Sequence, residues 1–193
     1  MNLKTLKTVR LFSMIKLLIL DVDGVLTDGT KTYDKDHNVL SKRFMCKDFT
    51  AIKKFIAAKI DIVLISGDKW NEQMAKKRNL DFICTRDDNL SLDKSKYIEV
   101  FLEKYDVKID EVSFVGDDYF DLSMFTKIDL TFCPVDAPDI IKNNSKEILK
   151  SKGGEGVIVE LYDYFISKNL IEEPSLESVL ALDAKELASS EMK

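Results

Sequence analysis

Residues 15–29 read IKLLILDVDGVLTDG, an apolar run that ends in two aspartates and a glycine. A short run of apolar side chains followed by turn residues is typical of a strand in a parallel sheet. Because the carboxyl ends of parallel strands face the ligand crevice, Asp21 and Asp23 are expected to project where a substrate binds. One such carboxylate can attack phosphorus while the other protonates the leaving oxygen and then activates water. Gly24 would let the backbone approach a phosphate closely. Taken alone, so short a pattern marks a solvated turn or a helix cap about as often as a catalytic site.

The rest of the chain alternates between short apolar runs and segments of helical periodicity. With the first run at Lys16–Leu20, the predicted strands are Ile62–Ile65, Phe82–Cys84, Val112–Val115 and Leu130–Cys133. The clearest helical stripe runs from Tyr97 to Tyr105, with apolar residues spaced three or four apart. This alternation predicts an α/β fold with a doubly wound, Rossmann-like parallel sheet and helices on both faces.

Three segments depart from the alternation. Residues 28–44 have threonines and aliphatic residues on either side of a polar stretch, which predicts a β-hairpin inserted after the first strand. Residues 14–170 are interpreted as a single domain and residues 1–13 as an N-terminal extension. Residues 171–193 contain leucines at helical spacing and predict an accessory helix.

Composition excludes several classes of protein. The 193 residues are 45% hydrophobic and 33% charged, which is typical of a globular protein with a packed core. The formal net charge of −5 argues against nucleic acid or an anionic membrane as a partner. Lys16 interrupts the only apolar run near the N-terminus, so no signal peptide or membrane span is predicted there. Three cysteines without paired spacing are expected to be reduced, and the location to be cytoplasmic.

Two further features are consistent with phosphate chemistry. Ser66 and Gly67 follow directly on the second apolar run, where a hydroxyl and backbone N–H groups could hold phosphate oxygens. A strand followed by Ser-Gly is more often only a turn. Lys94 precedes the Tyr97 helix and could neutralise the phosphate. With 29 lysines and arginines in the chain, most lysines will instead face solvent.

The fourth predicted strand runs into another acidic cluster, GDDYFD at residues 116–121. Mg²⁺ takes oxygen ligands and commonly one or two protein carboxylates. Asp21 and Asp117 from different strand ends, with the backbone carbonyl of Asp23, would supply such a set. Acidic pairs at strand ends also cap helices, and Asp121 could be such a capping charge.

The order of these features, DxDG, strand-Ser-Gly, lysine and GDDxxD, resembles the four motifs of the haloacid dehalogenase superfamily over roughly residues 15–166. The resemblance implies a Mg²⁺-dependent phosphatase, since the dehalogenases lack the second aspartate. The implied catalytic residues are Asp21 as nucleophile, Asp23 as general acid and base, and Ser66 and Lys94 as phosphate clamps, with Gly24 and Gly67 also binding substrate. The implied metal ligands are Asp21, Asp23 through its carbonyl, Asp117, and Asp118 in the second shell or through water.

The spacing of these motifs leaves no room for a cap domain, so the chain resembles the capless members of the superfamily. Within them, the hairpin, Phe44, Asp48 and KGGEGVIVEL at residues 152–161 resemble the phosphatases of 3-deoxy-octulosonate 8-phosphate and nonulosonate 9-phosphate. That resemblance implies a small phosphorylated sugar acid as substrate. It also implies a homotetramer in which a neighbouring subunit closes each active site.

Three positions differ from that group. Phe49 stands in place of a glycine, and Asp68 and Val159 stand in place of arginines that would grip a sugar-acid carboxylate. These differences suggest a changed or less acidic substrate. A phosphatase of another sugar phosphate, and a non-catalytic tetrameric interaction protein on the same fold, therefore remain alternatives.

Overall fold

The computed structural model describes residues 14–87 and 92–191, with side chains described as far as residue 188. The predicted extension at residues 1–13 lies outside the described residues. The strands are β1 Leu17–Leu20, β2 Thr32–Tyr33, β3 Val39–Ser41, β4 Asp61–Ser66, β5 Asp81–Cys84, β6 Val112–Val115, β7 Leu130–Cys133 and β8 Glu147–Ile148. The α-helices are α1 Cys46–Ala57, α2 Asn71–Lys77, α3 Ile98–Tyr105, α4 Leu122–Phe125, α5 Asp139–Lys142, α6 Val157–Ser167 and α7 Leu176–Glu191.

Six parallel strands form the central sheet in the order β5-β4-β1-β6-β7-β8. Successive residues of β1 point to opposite faces, so Leu18 and Leu20 enter one core while Leu17 and Ile19 enter the other. The first core is covered by α1, α2 and α6, and the second by α3, α4 and α5. The predicted doubly wound α/β fold is confirmed.

The five strands predicted for the sheet are present, each within one residue of the predicted limits. The sixth, β8, was not predicted because it is two residues long and contains a glutamate. It lies at the sheet edge, where Tyr164 donates a hydrogen bond to Glu147 at 3.1 Å. Such a short edge strand depends on tertiary contacts and leaves little trace in the sequence.

The predicted hairpin is also confirmed. Strands β2 and β3 pair in an antiparallel two-stranded sheet separate from the central one. Asp34 closes the connecting turn by accepting N–H bonds from Asp36 and Asn38. Residues 21–66 are fully described, and between β1 and β4 they contain only this hairpin and α1. No cap domain therefore interrupts that part of the chain.

The predicted C-terminal helix forms as α7 and lies against α1. Lys53 of α1 makes ion pairs with Asp183 and, at 2.8 Å, with Glu186. Arg78 reaches the same glutamate at 2.9 Å from the end of α2. Among the helices of the described residues, none has the length and apolar character needed to cross a bilayer.

Candidate active site

The site lies at the carboxyl ends of β1, β4 and β6, as parallel-strand geometry predicts. Asp21 follows β1 and is 6% exposed, and its N–H donates to the carbonyl of Val115 at the end of β6. That bond joins two strand ends about a hundred residues apart in the chain. Asp21 and Asp117, with Asp121, have carboxylate oxygens within 4.8 Å of one another.

The loop after β1 turns sharply because of Gly24, whose φ is +91°. A Cβ atom at this position would lie 2.0 Å from Oδ2 of Asp117. A side chain here would therefore displace the Asp117 carboxylate. Gly24 was predicted to bind substrate, but it does not line the active-site cavity, and its observed contact is with Asp117.

Lys94 connects the acidic residues. It begins a 3₁₀ helix, is 4% exposed, and its Nζ lies 2.9 Å from Asp21 and 2.5 Å from Asp121. Burial alone would lower the pKa of Lys94, but the charges of Asp21 and Asp121 raise it above the ordinary value. This lysine is therefore a fixed positive charge beside the predicted nucleophile.

Asp121 and Asp118 have different surroundings. Asp121 is fully buried, and its Oδ2 accepts the N–H groups of Asp117 at 2.9 Å and Asp118 at 3.1 Å. The capping role considered for Asp121 is thus observed, together with its ion pair to Lys94. Asp118 lies outside the close group of carboxylates; it is exposed and accepts the N–H of Tyr119.

The acidic cluster needs a counter-charge. Burial raises the pKa of Asp21 to about 7, although Lys94 opposes the shift. Burial and then the charge of Asp21 raise the pKa of Asp117 to about 9. Within the part of the chain that the structure describes, Oδ1 of Asp117 is buried and has no hydrogen-bond partner. Such an atom is expected where a cation binds.

The donors present fit Mg²⁺. Both oxygens of Asp121 already accept hydrogen bonds, so Asp21 and Asp117 are the carboxylates better suited to direct coordination. An all-oxygen set with two carboxylates leaves several positions for water and a phosphate oxygen, which is the usual arrangement for this ion.

Asp23 belongs to a separate network that the sequence did not reveal. Lys42, whose side chain is fully buried, donates to both Asp23 oxygens at 2.6 and 2.9 Å. Nδ2 of Asn71 lies 3.0 Å from Oδ2 of Asp23 and 3.0 Å from Oγ of Ser66. Lys42 also donates to Oδ1 of Asn71 at 2.8 Å. Asp23 is thus held by groups from the hairpin and from α2.

Asp68, one of the departures from the family pattern, completes this network. It pairs with Lys42 at 2.8 Å and with Lys31 at 2.7 Å. Burial would raise the pKa of Asp68, but hydrogen bonds from the two lysines hold it well below the ordinary value. Oγ of Ser66 accepts the N–H of Asp68 at 3.0 Å, and its own contact as a donor, to Oδ2 of Asp23, is long at 3.4 Å. That long contact leaves the hydroxyl able to donate to a ligand.

These residues line an open cavity of about 300 Å³. Its lining residues are Asp21, Asp23, Gly29, Lys31, Ser66, Gly67, Asp68, Thr85, Arg86, Leu92, Lys94, Asp117, Asp118, Phe120 and Asp121. The predicted residues Asp21, Asp23, Ser66, Gly67, Lys94, Asp117 and Asp118 are therefore brought to one cavity, and Lys31 and Arg86 were not predicted. Nothing in the sequence distinguishes Lys31 and Arg86 from the loop lysines and arginines that face solvent.

The other two departures from the family pattern lie outside this cavity. Phe49 is buried in the core, with its ring 3.9 Å from the Arg78 guanidinium. Val159 lies on α6 beside Tyr162 and Lys54, in a shallow cavity of about 220 Å³. Neither residue lines the cavity that contains Asp21.

The glycine-rich segment before α6 packs against the loop that follows β1. A Cβ atom at Gly153 would lie 2.2 Å from the carbonyl oxygen of Gly24, so the two backbones are in close contact. Asp48 fixes the start of α6 by accepting the N–H groups of Ile158 at 2.9 Å and Val159 at 3.1 Å. The KGGEGVIVEL segment thus packs against the nucleophile loop through Gly153, while Asp48 caps the helix that follows it.

Comparison with known proteins agrees with this geometry. A family model described as haloacid dehalogenase-like hydrolase matches residues 88–161. The 3-deoxy-D-manno-octulosonate 8-phosphate phosphatase KdsC of Haemophilus influenzae is 30% identical over 152 residues, covering 79% of this chain and 83% of the relative.

Solved structures agree as well. The cobalt-bound deoxy-D-mannose-octulosonate 8-phosphate phosphatase of Haemophilus influenzae is 28% identical, with a TM-score of 0.73, and the match covers 80% of this chain and 89% of that one. The Moraxella catarrhalis phosphatase, in complex with magnesium, phosphate and KDO, is 21% identical with a TM-score of 0.72 and covers 81% of this chain and 88% of that one. At that identity the second structure supports the fold.

The fold, the site and the relatives define a hydrolase of the haloacid dehalogenase type. The chain belongs to the family of the 3-deoxy-D-manno-octulosonate 8-phosphate phosphatases, and it is a phosphatase.

Proposed function

We propose that this chain is a Mg²⁺-dependent phosphomonoester hydrolase that acts on a small phosphorylated sugar acid of the octulosonate or nonulosonate type. One observation carries the proposal: buried Asp21 and half-buried Asp117 form a carboxylate pair beside Ser66 and Lys94 in an open cavity, and Oδ1 of Asp117 is buried without a hydrogen-bond partner among the described residues. The names of the relatives support the sugar-acid substrate, and the cobalt-bound relative supports a divalent metal.

In the proposed reaction a carboxylate oxygen of Asp21 attacks phosphorus in line with the departing sugar oxygen. A P–O bond to Asp21 forms as the P–O bond to the sugar breaks, which gives an aspartyl-phosphate. Lys94 and the Ser66 hydroxyl hold the non-bridging oxygens of the phosphoryl group. Bound Mg²⁺ would neutralise the phosphate charge and the repulsion between the two carboxylates of its site.

Asp23 is the proposed general acid and base. Its carboxyl group gives a proton to the departing sugar oxygen, and the resulting carboxylate takes one from the water that attacks the aspartyl-phosphate. The bonds from Lys42 and Asn71 restrict the orientations of this group. They keep it on the Ser66 side of the cavity.

A homotetramer in the cytoplasm stays a prediction of the family resemblance. The hairpin offers exposed apolar side chains for subunit contacts, with Tyr33 at 44% and Leu40 at 59% exposure. In this proposal, hairpins from neighbouring subunits cover the open cavity and take the place of a cap domain.

The test is hydrolysis of a panel of sugar phosphates with Mg²⁺ and with EDTA. The proposal expects turnover only with Mg²⁺, a preference for phosphorylated 2-keto-3-deoxy sugar acids, and a loss of at least about 10³-fold in Asp21→Asn. Asp163→Asn, at an exposed position of α6 outside the cavity, is the control and should retain full activity. Absence of metal-dependent turnover across the panel would instead support the non-catalytic interaction protein.

A further inference from the structure

Arg86 lies two residues after β5, beside the Ser66-Gly67 turn. In the parallel pairing of β4 with β5, Ser66 lies opposite Cys84, so Arg86 is level with Asp68 two residues beyond the strand ends. The N–H of Thr85 donates to the carbonyl of Ser66 at 2.9 Å and extends the pairing past the strands. Arg86 therefore follows directly on a residue that is hydrogen-bonded to Ser66.

The Arg86 side chain crosses the Ser66-Gly67 turn. A Cβ atom at Gly67 would lie 3.0 Å from Nε and 3.4 Å from Cζ of this arginine. Residues Gly67, Asp68 and Arg86 all line the active-site cavity. The guanidinium group thus lies at the cavity wall beside Gly67, the residue that follows the proposed phosphate clamp Ser66.

The other cations of the cavity are already neutralised. Lys31 pairs with Asp68, and Lys94 pairs with Asp21 and Asp121.

Arg86 has no ion pair among the residues that the structure describes, although two aspartates are close in sequence or register. Asp68 is bound by lysines, and Asp87 accepts from Lys69 at 2.9 Å. In the described part of the cavity, Arg86 is the cation available to an anionic ligand.

We propose that Arg86 binds the carboxylate of the sugar-acid substrate and so determines its preference over neutral sugar phosphates. This inference rests on the proposed function. The transferring phosphate already has Lys94, Ser66 and the metal site, which leaves a planar guanidinium for a second anion. Such a group pairs with a carboxylate through two parallel N–H···O bonds. A guanidinium supplied from position 86 would compensate for the arginine that the family has at position 68.

The experiment compares one phosphorylated 2-keto-3-deoxy sugar acid with its methyl ester, which differs only in the charge of the carboxyl group. Steady-state kinetics are measured for the unaltered enzyme, Arg86→Gln and Arg86→Lys. Arg43→Gln is the control, since it removes another exposed arginine that does not line the cavity. A thermal melt of each variant establishes that it is folded.

The expected result is a KM for the acid that rises about 10- to 100-fold in Arg86→Gln, the range for one charge-assisted interaction. The KM for the ester should change less than about twofold, and Arg86→Lys should recover part of the loss. Arg43→Gln should match the unaltered enzyme with both substrates.

Two results would overturn the inference while the phosphatase assignment stands. Equal losses with acid and ester would mean that Arg86 binds the phosphate, and no loss with either would mean that it binds nothing in the substrate. Failure of the proposed function is distinguishable, because the unaltered enzyme would then hydrolyse neither compound with Mg²⁺.

Discussion

At the scale of single residues, Lys42 is the side chain that most changes the view of the site. Its buried ammonium group is within hydrogen-bond distance of oxygens from Asp23, Asp68 and Asn71. A lysine with no exposed side-chain surface is retained only where its charge is paired. We regard it as a positioning residue that fixes the proposed general acid and base.

Replacement of Lys42 tests that role. Lys42→Met should lower kcat for an alkyl sugar phosphate by about 10²-fold, a typical contribution of general acid catalysis. The loss should be much smaller with p-nitrophenyl phosphate, because its leaving group departs without a proton. Lys127→Met, at an exposed lysine outside the cavity, is the control. Equal losses with both substrates would mean that Lys42 serves only the fold.

The raised pKa values of Asp21 and Asp117 predict how stability depends on pH without metal. A carboxyl group whose pKa is higher in the folded protein than in the unfolded chain takes up protons on folding. Its contribution to stability is therefore greatest at pH values near and below its pKa in the unfolded chain, and it falls as the pH rises. The contribution of Asp21 to the free energy of unfolding therefore falls until the pH passes its pKa of about 7, and that of Asp117 falls until the pH passes its pKa of about 9.

Thermal melts in EDTA should therefore show a Tm that declines between about pH 5 and 9, and Mg²⁺ should restore it most at the alkaline end. Asp117→Asn should reduce the decline and abolish the restoration by Mg²⁺, because it removes a charge and a ligand together. Asp163→Asn is the control, since this exposed side chain on α6 lies outside the acidic cluster, and its melts should match those of the unaltered protein. A metal-free Tm that rises over this pH range would contradict the assignment.

At the scale of elements, α6 depends on a cap from a distant helix. Asp48 of α1 accepts the N–H groups of two residues in the first turn of α6, and burial raises the pKa of this carboxyl group. Asp48→Ala should reduce the free energy of unfolding by about 1–2 kcal/mol, the usual cost of losing a helix N-cap.

Asp48→Asn should recover most of that stability, because its amide oxygen can accept the same bonds. Denaturant titration measures both variants. Since Asp48 does not line the cavity, kcat in either folded variant should stay within about twofold of the original. A large loss of kcat without a loss of stability would show that Asp48 acts in the chemistry.

The elements also show what the sequence could predict. Strands β1, β4 and β6 were recognisable because each buries residues on both faces and ends in polar residues, and Asp21, Ser66 and Asp117 mark these three ends. Parallel-strand geometry then brings them together. Lys42 and Asn71 were missed because a lysine after a strand or an asparagine at a helix start is common, and only the tertiary fold buries them.

At the scale of the whole molecule, the open cavity and the exposed hairpin predict assembly. Leu40→Glu places a charge on the apolar hairpin face and should shift a tetramer toward smaller species in light scattering after size exclusion. The KM for the sugar-acid phosphate should rise, because the cavity would lose its cover. Val100→Glu, the same kind of change at an exposed apolar residue of α3, is the control. Unchanged mass and KM in Leu40→Glu would exclude the hairpin from assembly.

The central claim is that Asp21 takes the phosphoryl group at a Mg²⁺ site shared with Asp117. The most direct measurement is mass spectrometry of peptides from enzyme quenched with borohydride during turnover, which converts an aspartyl-phosphate to a stable alcohol. Reduction is expected at residue 21 with Mg²⁺, and none in EDTA or in Asp117→Asn. Reduction at another aspartate, or undiminished turnover with residue 21 replaced by asparagine, would contradict it.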